Sequence, residues 1–323
     1  MEADTVVQHV PSTPGAPMAI TNDLAYLRLA IVNVFFYGEA GAGDREWVLI
    51  DAGLHGTAHR IVKAAEERFG ARSRPSAIVL THGHFDHVGA LRELADRWDV
   101  PIYAHEWELP YLTGTSSYPP PDPAVGGGAM ALLSPLYPKG PVDVSDRIQT
   151  LPADGAIPGM PGWRWLYTPG HAPGHVSLWR KEDSILVSGD AVITTKQESA
   201  FSVALQRPEI HGPPTYFTSD WDTAKESVQH LATLEPEILA PGHGRPLRGY
   251  WMREGLHKLA RDFDRVARPA KGRYVHQPAE VNEQGVVSLP PAVPSPYPKM
   301  LLGLGAAVVV GAAVRSMMRH EAD

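Results

Sequence analysis

The sequence predicts a mixed fold of the α/β or α+β class, and three observations point there. Short β-rich runs alternate with amphipathic helical stretches, Gly and Pro punctuate the boundaries, and 43% apolar residues in a 323-residue chain suffice for a large core. From Ala25 to Ala52 two β-rich runs, Leu27–Tyr37 and Glu46–Ile50, flank the turn-prone segment Gly38–Asp44 and suggest a hairpin. Residues Thr57–Phe69 then space Ile61, Ala64, Ala65 and Phe69 as on one helix face, with Gly70 where a helix would stop. A short buried strand at Ser76–Leu80, a helix at Leu91–Trp98 and a strand at Pro101–Ala104 continue the alternation.

Tyr111–Gly140 has a different texture, with Tyr118-Pro119-Pro120-Pro121-Asp122-Pro123 and Gly126-Gly127-Gly128, and is expected as a long loop. Its aromatic Tyr111, Tyr118 and Tyr137 favour a lid over a disordered stretch. Trp163–Thr168 and Ser184–Ser188 follow as strands, Thr223–Leu234 as a helix, and Ile238–Ala240 as a strand running into Pro241-Gly242-His243-Gly244. The expected division is a catalytic domain over 1–270, a Pro-rich linker over 271–299 and an apolar tail over 300–323. Within that tail Met300–Val314 holds fifteen uncharged residues. As a helix they span about 22 Å, short of the roughly 30 Å hydrocarbon core, so the tail is either a membrane contact or a helix docked on the body or a second subunit.

Composition narrows the functional classes. A formal charge of −7 argues against a polyanion-binding surface, so nucleic acid is not an expected partner. The absence of cysteine removes disulfides, zinc knuckles, iron–sulfur clusters and thiol nucleophiles, leaving His and carboxylates to hold any metal. Residues 1–30 show no basic region followed by an apolar one, so a cytoplasmic location is expected, with membrane association only through 300–314.

The chemistry concentrates in Thr81-His82-Gly83-His84-Phe85-Asp86-His87, between an expected strand and an expected helix. Three His and one Asp within six residues are not explained by packing; neutral imidazoles suit zinc or iron, and a carboxylate adds charge that helps hold a second cation. Three further segments place a ligand type after a strand: Pro169-Gly170-His171, Gly189-Asp190 and Pro241-Gly242-His243. Each is weak alone, because a His after Pro-Gly is commonly a turn residue, but together they suggest two divalent ions.

In these motifs the chain resembles the metallo-β-lactamase superfamily, whose pattern His-x-His-x-Asp-His, then His, then Asp, then His is met in order over residues 20–265. The resemblance implies a metallo-β-lactamase-like αββα four-layer sandwich of the α+β class. It also implies that His82, His84 and His171 hold one metal, that Asp86, His87 and His243 hold the second, and that Asp190 bridges them, with Asp51 as a supporting residue. His84 stands where oxygen-reducing di-iron relatives carry Glu, and Asp190 where the best-known zinc β-lactamases use Cys. The pattern looks more like glyoxalase II and the acyl-homoserine lactonases, although no glutathione-binding domain is identifiable in the tail.

The expected activity is hydrolysis of an ester, thioester or lactone in a small-molecule substrate by a metal-bridging hydroxide, with Asp86 passing a proton to the leaving group. Zinc is the expected cation, with iron and manganese as alternatives. Two other readings are a phosphodiesterase or nuclease of the same fold, disfavoured by the acidic charge, and a non-enzymatic membrane-tethered binding module, disfavoured by the intact ligand set. His105, His175 and His211 are not expected as ligands, and Tyr118, Tyr137 and Tyr216 are candidates to line the pocket.

Overall fold

A computed structural model of the chain describes residues 16–294. Its first half builds a seven-stranded sheet from β1 (Met18–Ala19), β2 (Leu24–Leu29), β3 (Val32–Tyr37), β4 (Val48–Ile50), β5 (Ala77–Val79), β6 (Ile102–Ala104) and β7 (Ile148–Thr150), ordered as in the chain. The strands β1 to β4 pair antiparallel, whereas β4 to β7 pair parallel, with Ile50 opposite Val79 and Ile78 opposite Ile102. Parallel neighbours need a crossover. Helix α1 (Ala58–Phe69) supplies it between β4 and β5, and α2 (Phe85–Val88) with α3 (Leu91–Trp98) between β5 and β6. The segment before β7 contains two short helices, α4 (Leu109–Leu112) and α5 (Ala129–Leu133), so the expected long loop is a partly helical strap.

The second half forms a five-stranded sheet in the order β12-β11-β10-β9-β8. Its strands are β8 (Trp163–Tyr167), β9 (Val176–Arg180), β10 (Ile185–Gly189), β11 (Ile238–Pro241) and β12 (Leu247–Arg248). Between β10 and β11 lie α6 (Ala200–Leu205) and α7 (Trp221–Ala232), and α8 (Tyr250–Val266) follows β12.

Side-chain alternation along the strands produces four layers. Phe36, Leu49 and Ile78 face Ile61, Ala65 and Phe69 of α1 and Leu94 and Trp98 of α3. Their chain neighbours Phe35, Ile50 and Val79 turn the other way and meet Val176, Leu178, Ile185 and Val187 of the second sheet. On the far side Leu186 and Leu239 pack against Trp221 and Val228 of α7 and Leu256, Leu259 and Phe263 of α8. The result is helix, sheet, sheet, helix, an α+β sandwich of the expected kind.

Three features differ from the sequence expectation. Leu27–Tyr37 is two strands rather than one run, because Ala30 adopts φ 58° and turns the chain between β2 and β3 without Gly, Pro or Asn. Helix α8 was not expected, since its apolar residues Met252, Leu256, Leu259 and Phe263 lie among many charges. Part of the span expected as linker is ordered: β13 (Glu280–Asn282) and β14 (Gly285–Ser288) pair as a hairpin, with Val286 against Tyr111 and Tyr118. No helix among the described residues is long and apolar enough to cross a membrane. The tail Met300–Val314 lies outside the described residues.

Candidate metal centre

Strand direction gathers the candidate ligands. Because β8 and β10 each run antiparallel to β9, and β11 runs parallel to β10, the carboxyl ends of β8, β10 and β11 share one edge of their sheet. His171, Asp190 and His243 follow those three strands, while Asp51 and His82 follow β4 and β5 of the facing sheet. Their side chains meet at the shared rim. His82, His84, Asp86, His87, His171, Asp190 and His243 are all buried, and three overlapping groups have ligand atoms within 4.8 Å of one another. The groups are His82, His84 and His171; His82, His87 and Asp190; and Asp86, His87 and His243.

Asp190 lies between the groups. Its Oδ2 is 3.4 Å from His171 Nε2 and 3.0 Å from His243 Nε2, and its Oδ1 is 3.5 Å from His87 Nε2. Asp86 Oδ2 is 3.5 Å from His243 Nε2, and His84 Nδ1 is 2.9 Å from His171 Nε2.

Hydrogen bonds behind the rings decide which nitrogen faces inward. His87 Nδ1 donates to Asp51 Oδ2 at 2.8 Å, and His243 Nδ1 donates to the Ile31 carbonyl at 2.6 Å. The Thr81 hydroxyl donates to Asp51 Oδ2 and so accepts from His82 Nδ1 at 3.1 Å. The Thr218 hydroxyl donates to the Pro214 carbonyl and so accepts from His171 Nδ1 at 3.4 Å. All four rings therefore carry the proton on Nδ1 and turn Nε2 to the centre, the arrangement by which outer partners fix a histidine as a metal ligand.

Buried atoms without partners mark the same place: His82 Nε2, His87 Nε2 and Asp190 Oδ1 make no hydrogen bond. Such groups are costly unless something pairs them. A set of imidazole lone pairs and carboxylates without thiolate fits divalent zinc, iron or manganese.

Charge points the same way. Burial pushes the His82 and His171 imidazoles well below the ordinary histidine range and takes His84 down to about 3. Burial acts likewise on His87 and His243, but the Asp190 carboxylate outweighs it, with help from Asp51 at His87 and Asp86 at His243, and both are raised. Burial alone would raise Asp190, yet the charges of His243 and His87 hold its carboxyl far down, whereas burial leaves Asp86 raised. The carboxylates thus draw positive charge into a buried site, and a cation binding there would displace the protons they hold on His87 and His243.

The histidines set aside from the ligand set have other partners. His175 Nε2 accepts from the Asp190 amide at 2.9 Å and Nδ1 donates to the Thr168 carbonyl at 3.0 Å, so this ring positions the Asp190 backbone. His105 caps a turn through the Trp107 amide and stacks on Tyr167, and His211 Nδ1 donates to the Gly212 carbonyl.

Of the candidate pocket tyrosines, Tyr118 is buried with its ring 4.5 Å from that of His84, so it buttresses a candidate ligand. Tyr216 is also buried, while half-buried Tyr137 stacks on Phe85 at 5.4 Å. Phe217 completes an aromatic wall 4.7 Å from the His84 ring. Neither Phe85, inside the histidine motif, nor Phe217 was expected here. Asn33 was also missed: its Nδ2 donates to the Pro241 and Gly244 carbonyls and holds the His243 loop against β3.

Known proteins share this architecture. The family model described as "Metallo-beta-lactamase superfamily" matches residues 27–243. The Bacillus subtilis (strain 168) protein named "Probable metallo-hydrolase YflN" is 47% identical over 246 residues, covering 76% of this chain and 93% of that protein. "Probable metallo-hydrolase YybB" of the same organism is 29% identical over 205 residues, 64% of this chain and 78% of that one. Among solved structures, a beta-lactamase domain protein from Burkholderia ambifaria has the same fold, with a TM-score of 0.55 at 21% identity over 80% of this chain and 75% of that chain.

Proposed function

From the premise that the chain belongs to the metallo-β-lactamase superfamily, we propose that it is a hydrolase that holds two divalent cations, zinc by preference, and cleaves an ester, thioester or lactone carbonyl. The observation that carries this reading is the pair of buried groups, His82/His84/His171 and Asp86/His87/His243, with one Asp190 carboxylate touching a member of each. Two cations held there would supply Lewis acidity, polarising a carbonyl oxygen and lowering the pKa of a water from about 15.7 towards roughly 7.

The chain's own residues supply the rest. Asp86, whose Oδ2 lies 3.5 Å from His243 Nε2, is the carboxylate proposed to carry a proton to the leaving group. Asp51, Thr81, Thr218 and the Ile31 carbonyl keep the imidazoles in one tautomer and one orientation. Phe85, Tyr137 and Phe217 exclude water beside His84 and offer an apolar surface to the acyl portion of the substrate. The substrate on this reading is a small molecule with an apolar acyl group.

The test is metal content per chain of the purified protein, together with hydrolysis of a panel of lactones, thioesters, aryl esters and bis-aryl phosphodiesters by wild type and Asp190→Ala. The expected result is two cations per chain and carbonyl hydrolysis that Asp190→Ala abolishes. Metal-free active protein would overturn the centre, and turnover of phosphodiesters alone would overturn the reaction class.

A further inference from the structure

We propose that Glu108 is a positioning residue for the first group of ligands, a single buried carboxylate that fixes the loop carrying His82 and His84 against the loop carrying His171. The inference rests on the metal-holding role proposed above. Glu108 lies in the turn after β6 and is fully buried. Its Oε2 accepts from the Gly83 amide at 2.8 Å and its Oε1 from the Gly174 amide at 2.7 Å. Gly83 sits between His82 and His84, and Gly174 lies three residues after His171. One carboxylate therefore spans the two loops whose histidines come within 2.9 Å of each other.

Close packing leaves the clamp no slack. A Cβ at Gly174 would stand 2.7 Å from the Glu108 Cγ and amide nitrogen, and one at Gly83 would stand 2.6 Å from the Tyr118 hydroxyl. That hydroxyl donates to Glu108 Oε2 and also accepts from the Gly83 amide at 3.0 Å, while the Tyr118 ring lies against His84. Two amides aimed at two different oxygens require a double acceptor. Glutamine has the same shape but would turn its NH2 towards one of the amide hydrogens. Burial pushes the Glu108 carboxyl up to about 7, although the Tyr118 hydroxyl and the Gly83 and Gly174 amides all act to lower it. The second group does not depend on this clamp, because His87 and His243 are oriented by Asp51 and the Ile31 carbonyl.

The experiment is zinc titration against a chromophoric chelator on the full chain, with Glu108→Gln introduced into wild type and into two single-group backgrounds. In His243→Ala, where the first group is intact, Glu108→Gln should weaken the remaining cation by about 10- to 100-fold, the usual effect of losing an outer partner. In His171→Ala, where the second group is intact, it should leave affinity unchanged. Tyr118→Phe, which keeps the carboxylate and the aromatic packing, should weaken the first group in the same sense and by less; it carries the test if Glu108→Gln does not fold. Equal weakening in both backgrounds, or none in His243→Ala, overturns the inference and leaves Glu108 a general brace. A wild type that holds one cation refutes the dinuclear reading, yet Glu108→Gln on that cation still decides the clamp. A wild type that holds none refutes both.

Discussion

Gly242→Ala tests whether the centre has the close packing described. Gly242 does not adopt a left-handed φ, so its backbone accepts alanine without conformational strain. The obstacle is space: a Cβ there would lie 2.2 Å from Asp190 Oδ1 and 2.9 Å from His87 Cε1. The backbone cannot retreat easily, because the Gly242 amide donates to the Gly189 carbonyl at 2.8 Å and the Gly242 carbonyl accepts from the Asn33 amide at 2.8 Å. Carbon and oxygen normally approach no closer than about 3.3 Å, so the Asp190 carboxylate must move by roughly 1 Å. A displacement of that size at a reacting centre costs about 100-fold in rate, and the overpacking costs about 1–3 kcal/mol of stability. The assay is kcat/KM on the best substrate of the panel, with metal content and thermal melting measured on the same preparation. Folded Gly242→Ala with wild-type turnover and wild-type metal content would refute the placement of Asp190 against Gly242.

Three further substitutions probe the supports and the wall. Asp51→Ala removes an acceptor of three buried hydrogen bonds, from the Thr81 amide, the Thr81 hydroxyl and His87 Nδ1, each 2.8 Å, and should lower stability of the chelator-treated protein by about 3–5 kcal/mol in urea unfolding; an unchanged midpoint would contradict those bonds. His175→Ala strands the Asp190 amide at a cost of about 1–3 kcal/mol and should keep the wild-type number of cations at saturating zinc, whereas loss of one cation would make His175 a ligand. Phe85→Ala should raise KM for substrates with long acyl groups more than for acetyl analogues, and an equal effect on both would remove the aromatic wall from the acyl site.

How much of this was legible in the sequence depended on how narrowly chemistry constrains each position. His82, His84, Asp86 and His87 stand out because ligand types crowd one turn, and His171, Asp190 and His243 become legible once each is seen to follow a strand. The layers were legible through the alternation of Phe35 with Phe36 and of Leu49 with Ile50, which sends neighbours to opposite faces. Helix α8 carries its signal in Met252, Leu256, Leu259 and Phe263, spaced three or four apart, but dense charge masks it. Of the supports Asp51 alone was legible, through its match to the family pattern, and its bond to His87 agrees with that role. Thr81, Thr218 and the Ile31 carbonyl had no such signal, because any acceptor in the right place will hold an imidazole N–H. Four histidines use a carboxylate, two hydroxyls and a main-chain carbonyl for one task, from Asp51, Thr81, Thr218 and Ile31. A carbonyl leaves no trace in the sequence at all, and Ile31 lies 212 residues from the His243 it orients. Metal coordination selects residue types and is visible in one dimension; orientation selects only positions in space, and Glu108, an isolated glutamate in sequence, becomes informative only once Gly83 and Gly174 are found at its two oxygens.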